Sequence, residues 1–208
     1  MKFKQYTDSI INEMSSLSRI HDKTEKYTCG VITAFRGDKV YKENIKNNRE
    51  LAAYLLREGY SVTKIKGAYI ENYGKENQEE VGEDSFFVCN HRVEGDDGGQ
   101  LLNDLLKLGE VYNQDSILYV PFSLDETKGF LFGTSKDKDA WVPYHQKMFV
   151  GFPTYGHEEM GEFFSRVRGR KFAFKECVEI KIPQTRNGKW GLKLLAEKVE
   201  KRINEIQI

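Results

Sequence analysis

Two hydrophobic periods alternate along this chain. NNRELAAYLLREGY (47–60) sets Leu51, Leu55 and Leu56 at helical spacing, and Gly59 stands where a C-terminal cap belongs. This predicts a helix over 47–58. QLLNDLLKLGEVY predicts a second amphipathic helix over 100–111. Around them lie short β-prone runs: YTCGVITAFRG (27–37), the alternating SVTKIKGAYIE (61–71), EDSFFVCN (83–90), DSILYVPF (115–122) and KGFLFGTS (128–135). Phe3, Tyr6, Ile10, Ile11, Met14 and Leu17 predict an N-terminal helix over 3–20.

The resulting order is β-α-β-β-α-β with one further strand. It predicts an α+β, ferredoxin-like sandwich: a mixed, mainly antiparallel sheet, both helices on one face, and the terminal helices at its edges or other face. The core spans 27–135 of a single domain, 1–208, with a C-terminal extension over 141–208. In that extension WVPYHQKMFVGFPTYG reads as an aromatic connection and HEEMGEFFSRVRG as a short helix ending at Gly169. RKFAFKECVEIKIP reads as one or two strands, and WGLKLLAEKVEKRINEI as a closing helix.

Composition narrows the class. At 39% hydrophobic and 12% aromatic, the chain can bury a sizeable core. Its 32 basic and 32 acidic residues cancel, which removes the overall charge expected of a nucleic-acid binder. Cys29, Cys89 and Cys177 are widely spaced and odd in number, against a disulfide framework or structural zinc. No apolar run approaches the ~20 residues of a membrane span, and the start lacks the apolar centre of a signal peptide. The expected setting is the cytoplasm, with no membrane partner.

The candidate chemistry follows from topology. If the first strand ends at the top of the sheet, Arg36 lies there with the following helix's start: Asn47, Asn48 and Arg49. A parallel second strand brings Glu71 to the same end, and the returning third strand brings Glu83, Asp84 and Ser85. The stretch YNQDSILYV (112–120) is odd, because Asn113, Gln114 and Asp115 lead straight into an apolar run. At the top, Gln114 and Asp115 would face the same rim, with Thr134 nearby. A helix N-terminus flanked by Arg36 and Arg49 suits a phosphate or carboxylate. Glu71, Glu83 and Asp115 suit a hydroxyl or base edge, Mg²⁺ or proton transfer. Wet, mutually paired polar rims are also ordinary in this architecture.

Other signals are weaker. Four scattered histidines lack metal-ligand spacing, so no metal site is expected. Glu179 and Lys181 form an E-x-K pair that any solvated strand can show. Arg166, Arg168, Arg170 and Lys171 form a basic cluster, a local route to nucleic acid or simply a solvated helix end. Cys29 has no adjacent base and reads as a buried structural thiol.

GVITAFRG, ENIKNNRELAAYLLREGYSVTKIKGAYIE, EDSFFV and LGEVYNQDSILYV, in that order, resemble a family of small bacterial and phage proteins, domain of unknown function 3293. The likeness rests on Ile32-Thr33-Ala34, Asn48, Arg49, Gly67, Glu83, Ser85 and Gln114. LSRIH, FGTS and GEFFSRVRGRKFAF look more like the longer phage-encoded members, and the likeness spans 17–175. The loop KENQEEVGED departs from it. The resemblance implies a phage gene, for a host-takeover or counter-defence factor or a virion component, and implies no chemistry. The first expectation is therefore a non-enzymatic protein of unknown activity that binds a small anionic ligand or host partner at the rim. The alternatives are a metal-dependent enzyme on nucleotides or nucleic acid, with Mg²⁺ as its cofactor, and a structural component located in the virion.

Overall fold

A computed structural model describes residues 20–71, 79–125, 127–138, 140, 142–151, 163–167, 170–171, 178–179 and 186–206. A helix over 20–26 (α1) leads into β1, Cys29–Ile32, and then α2, Tyr41–Arg57. Next come β2 (Ser61–Glu71), β3 (Glu79–Cys89), α3 (Gln100–Val111), β4 (Ser116–Val120) and β5 (Gly129–Gly133). The chain continues through β6 (Lys147–Gly151), β7 (Phe163–Val167), β8 (Arg170–Lys171), β9 (Val178–Glu179) and α4 (Arg186–Ile206). The helix expected over 3–20 lies outside the described residues except at Ile20.

The class is α+β, as expected. The sheet runs β6-β5-β4-β1-β3-β2-β7-β8, with β9 also on β2. Every described pairing between these strands is antiparallel. β1 and β2 are each antiparallel to β3 between them, so they run parallel without touching. β2 and β3 form a long ribbon, from Ser61↔Cys89 to Glu71↔Glu79, while β1 covers only Phe86–Cys89 of it. The outer half of the ribbon therefore extends past the end of β1.

Strand alternation divides the core in two. Ile32, Val62, Phe86, Val88, Ile117 and Tyr119 meet Leu51 and Leu55 of α2 and Leu101, Leu105 and Leu108 of α3. Gly30 stands beneath α3, where a Cβ would come within 2.5 Å of the Leu105 side chain and 2.7 Å of the Leu118 carbonyl oxygen. The opposite face gathers Cys29, Ile65, Phe87, Cys89 and Val120 under Ile20 of α1.

Several expected elements need correction. α4 packs on α2 and α3, through Ala196, Val199 and Ile203, rather than at an edge or on the other face. α2 begins at Tyr41, not near 47, because its inward stripe continues upstream in another chemistry. Asn44 and Asn48 occupy the positions that Leu51 and Leu55 hold further along, so hydrophobic periodicity alone starts too late. MFV of the supposed connection lies in β6, beside β5. Residues 163–167 form a strand rather than a helix, because FFSRV is β-prone and β2 offers it an open edge. The Arg166–Lys171 cluster consequently lies partly on a hairpin, with Arg166 opposite Lys171 and Arg170 opposite Val167. Arg168 lies outside the described residues.

Candidate functional site

The top rim is built around residues 33–39, the connection from β1 to α2. Few of its backbone groups have a strand partner, and side chains from α2, from the connection itself and from the junction between α3 and β4 satisfy them. From α2, Asn48 accepts the Ala34 N–H at 2.7 Å and donates to the Asp84 carbonyl at 2.8 Å. One turn earlier, Asn44 accepts the Arg36 N–H at 3.0 Å and donates to the Arg36 carbonyl at 2.9 Å. Thr33 Oγ1 donates to the Asp84 carbonyl at 2.9 Å and accepts the Phe35 N–H at 3.1 Å.

The YNQDS junction completes the rim. Asn113 N–H donates to the Glu110 carbonyl and Gln114 N–H to the Gly109 carbonyl, with Asn113 at φ 52°, which is a Schellman ending of α3. Asn113 is thus the turn residue that the sequence seemed to lack. Gln114 then points inward and donates to the carbonyls of Phe35 (3.0 Å) and Tyr112 (3.2 Å), while Thr134 donates to its carbonyl at 2.6 Å. Asp115 points outward and takes Arg36 Nη1 at 3.1 Å, and the same nitrogen donates to the Asn113 carbonyl at 2.7 Å. Arg36 also donates to Asp38 at 3.4 Å.

Glu83 is the chemically distinctive group. It is half-buried on β3, opposite Gly67, and lies within the electrostatic reach of Arg36 and Asp115. Burial pushes its carboxyl up from 4.5 to about 7; Arg36 opposes the rise and Asp115 adds to it. A carboxyl so placed changes charge near neutrality and gains from a cation brought beside it. Phe35 of this connection and Tyr41, the first residue of α2, meet edge to face at 6.1 Å, and Tyr41 is largely exposed.

The expected residues divide accordingly. Arg36, Glu83 and Asp115 share the rim. Asn48 and Gln114 also lie there, but they are buried and their amides hold main chain. Neither Asn48 nor Arg49 occupies a first helical turn, so the helix N-terminus expected to flank an anion carries neither. Arg49 is exposed, and no described hydrogen bond or ion pair ties it to the rim. Ser85 is buried on the face of Phe87 and Cys89. Glu71 pairs with Glu79, four residues beyond Gly67↔Glu83 and so ~13 Å further along the ribbon. Among the described residues no three rim side chains could share a metal; the one such group is His21, Asp22 and Glu25 on α1. Asn44 was missed by sequence reasoning, although it stands four residues before Asn48 on one helical face, and Thr33 entered only through the family likeness. No helix among the described residues is long and apolar enough to cross a membrane.

Residues 30–173 match the model of the S-adenosylmethionine lyase family. No curated protein and no solved structure matches the chain. The family match overturns the expected non-enzymatic binder of an anionic ligand or host partner, because the family is defined by an enzymatic activity. Its first alternative, the metal-dependent nucleotide enzyme, gives way to the same named activity. The matched stretch includes every residue of the rim.

Proposed function

Because the chain belongs to the S-adenosylmethionine lyase family, we propose that it cleaves the carbon–sulfur bond of S-adenosylmethionine without water. The substrate carries a sulfonium, an α-ammonium, an α-carboxylate and an adenosine. When the Cγ–S bond breaks, its electron pair goes to sulfur and methylthioadenosine leaves as a neutral thioether. The carbon side is balanced in one of two ways. The substrate's own carboxylate oxygen bonds to Cγ, giving homoserine lactone, or a base removes a Cβ proton and leaves a vinyl amino acid. Neither route needs a co-reactant.

The observation that carries a role for the rim is the half-buried Glu83 carboxyl. In the lactone route the sulfonium and carboxylate charges both fade toward the transition state. An anion held against sulfur would therefore favour the ground state over the transition state. Glu83 serves better at the α-ammonium, which keeps its charge throughout and whose capture orients the adjacent carboxylate. The burial that raises the Glu83 carboxyl then assists, since poor solvation destabilises the charges that disappear. The Phe35–Tyr41 edge offers an aromatic surface for adenine. Arg36, held by Asp115 and Asn113, keeps the 33–39 connection in place.

The test is turnover of S-adenosylmethionine by wild type and by Glu83→Gln, with methylthioadenosine followed by chromatography. Wild type should form it, and Glu83→Gln should lower kcat/KM by about 10²-fold or more, the scale of a lost charged contact. Equal turnover by the two proteins would remove Glu83 from the mechanism.

A further inference from the structure

Cys29 on β1 and Cys89 on β3 are direct cross-strand partners. The Asn90 N–H donates to the Thr28 carbonyl at 3.1 Å, so Thr28–Asn90 is a hydrogen-bonded position of the ladder. The neighbouring Cys29–Cys89 position is then the non-hydrogen-bonded kind, where Cα atoms approach to about 4.5 Å and facing side chains come closest. That spacing falls inside the range a disulfide accepts, about 4.4–6.8 Å between Cα atoms. Both residues are fully buried free thiols on the same sheet face, beneath Ile20 of α1.

The two thiols are also differentiated. Cys29 lies 3.6 Å from the Lys23 carbonyl and 3.5 Å from that of Tyr27, acceptors that suit a protonated thiol. The neighbouring Cys29 thiol and the Lys23 ammonium hold the Cys89 thiol below its usual range, whereas burial pushes Cys29 up. Lys23 reaches this end of the sheet through its 2.8 Å bond to Ser61, the residue beside Cys89 on β2.

We propose that Cys29 and Cys89 are a peroxide-sensitive dithiol that closes to a cross-strand disulfide. The Cys89 sulfur attacks hydrogen peroxide, the O–O bond breaks, and a sulfenic acid forms with release of water. The Cys29 sulfur then attacks the sulfenic sulfur, the S–O bond breaks, and a second water leaves as the S–S bond forms. Two thiols are oxidised and one peroxide is reduced to two waters. Hydrogen peroxide is little larger than water, which suits two thiols that are both fully buried. The cross-link would close a loop that includes α2 and the whole 33–39 connection. It is independent of the lyase reading.

The experiment treats the full chain, wild type and Cys177→Ser, with hydrogen peroxide, and then titrates thiols after denaturation. The wild type has three cysteines; its count should fall from three to one, and that of Cys177→Ser from two to none. Peptide mapping without reductant should find Cys29 joined to Cys89 within one chain, and dithiothreitol should restore both thiols. Unchanged thiol counts at peroxide doses that oxidise methionine would overturn the proposal. So would a disulfide to Cys177 or between chains, or loss of Cys89 as sulfinic acid with Cys29 still free.

Discussion

The side-chain amide of Gln114 donates to the main-chain carbonyl of Phe35, 3.0 Å away, from a position only 6% exposed. The start of β4 is thereby fastened to the connection between β1 and α2, beside Arg36. Removing the amide leaves that carbonyl without this donor and loosens the connection that carries Phe35 and Arg36. Gln114→Ala should therefore lower stability by about 1–3 kcal/mol and reduce turnover together. Urea unfolding run beside the activity assay checks this. A stability change below about 0.5 kcal/mol, the scale of an ordinary surface substitution, would make Gln114 a surface residue in effect.

Leu55, in the last turn of α2, and Leu105, at the centre of α3, are fully buried. Truncating either to Ala should cost about 2–5 kcal/mol through lost transfer energy and the cavity left behind. Gly30→Ala should also destabilise the fold, since its Cβ would meet the Leu118 main chain as well as Leu105. Chemical denaturation of the three variants measures all of these effects.

Glu50 is fully buried in α2 and meets Arg202 at 3.0 Å and Lys198 at 3.8 Å, both from α4. Its Oε1 has no hydrogen-bond partner among the described residues. Arg202→Ala would strand much of that charge, at a cost on the order of 3 kcal/mol. Adding Glu50→Gln to Arg202→Ala should recover part of the loss. A double variant no more stable than Arg202→Ala would show that the charge is not what α4 neutralises.

Glu83 gives stability a pH dependence of definite sign. Its carboxyl is pushed up from 4.5 to about 7 in the folded chain. Between these values the folded protein keeps a proton that the unfolded chain has released. Its contribution to stability must therefore fall as pH rises from about 4.5 through about 7, and level off above. Glu83→Gln should flatten that part of the curve. Parallel melts across pH 5–8 test it; an identical slope in both proteins would count against the buried carboxyl.

Much of this was legible in the residues, and the failures have physical reasons. Leu51, Leu55, Leu101 and Leu105 reveal both helices because their burial repeats at helical period. The antiparallel ribbon follows from the alternation of 61–71. The start of α2 was hidden because Asn44 and Asn48 point inward without being apolar. Their amides answer loop carbonyls and N–H groups that exist only once the chain has folded. Gln114 misled for the same reason: a polar residue at a strand's mouth looks like a rim group until its carbonyl partners are seen. FFSRV was mistaken for helix because its β2 partner lies almost a hundred residues earlier in the chain. The rim was reached by topology, but its chemistry was not, because Glu83 is unusual only through its burial and its neighbours.

The most direct measurement of the central claim is S-adenosylmethionine turnover in heavy-oxygen water, with the amino-acid product analysed by mass spectrometry. In a lyase reaction no solvent oxygen reaches Cγ. A lactone that later opens takes its new oxygen at the carboxyl carbon, and a vinyl product has no oxygen at Cγ. The account therefore expects methylthioadenosine together with a product whose Cγ carries either unlabelled oxygen or none. A heavy oxygen on Cγ would mean direct hydrolysis, and no methylthioadenosine at all would mean that this chain does not perform the reaction; either result would contradict the account.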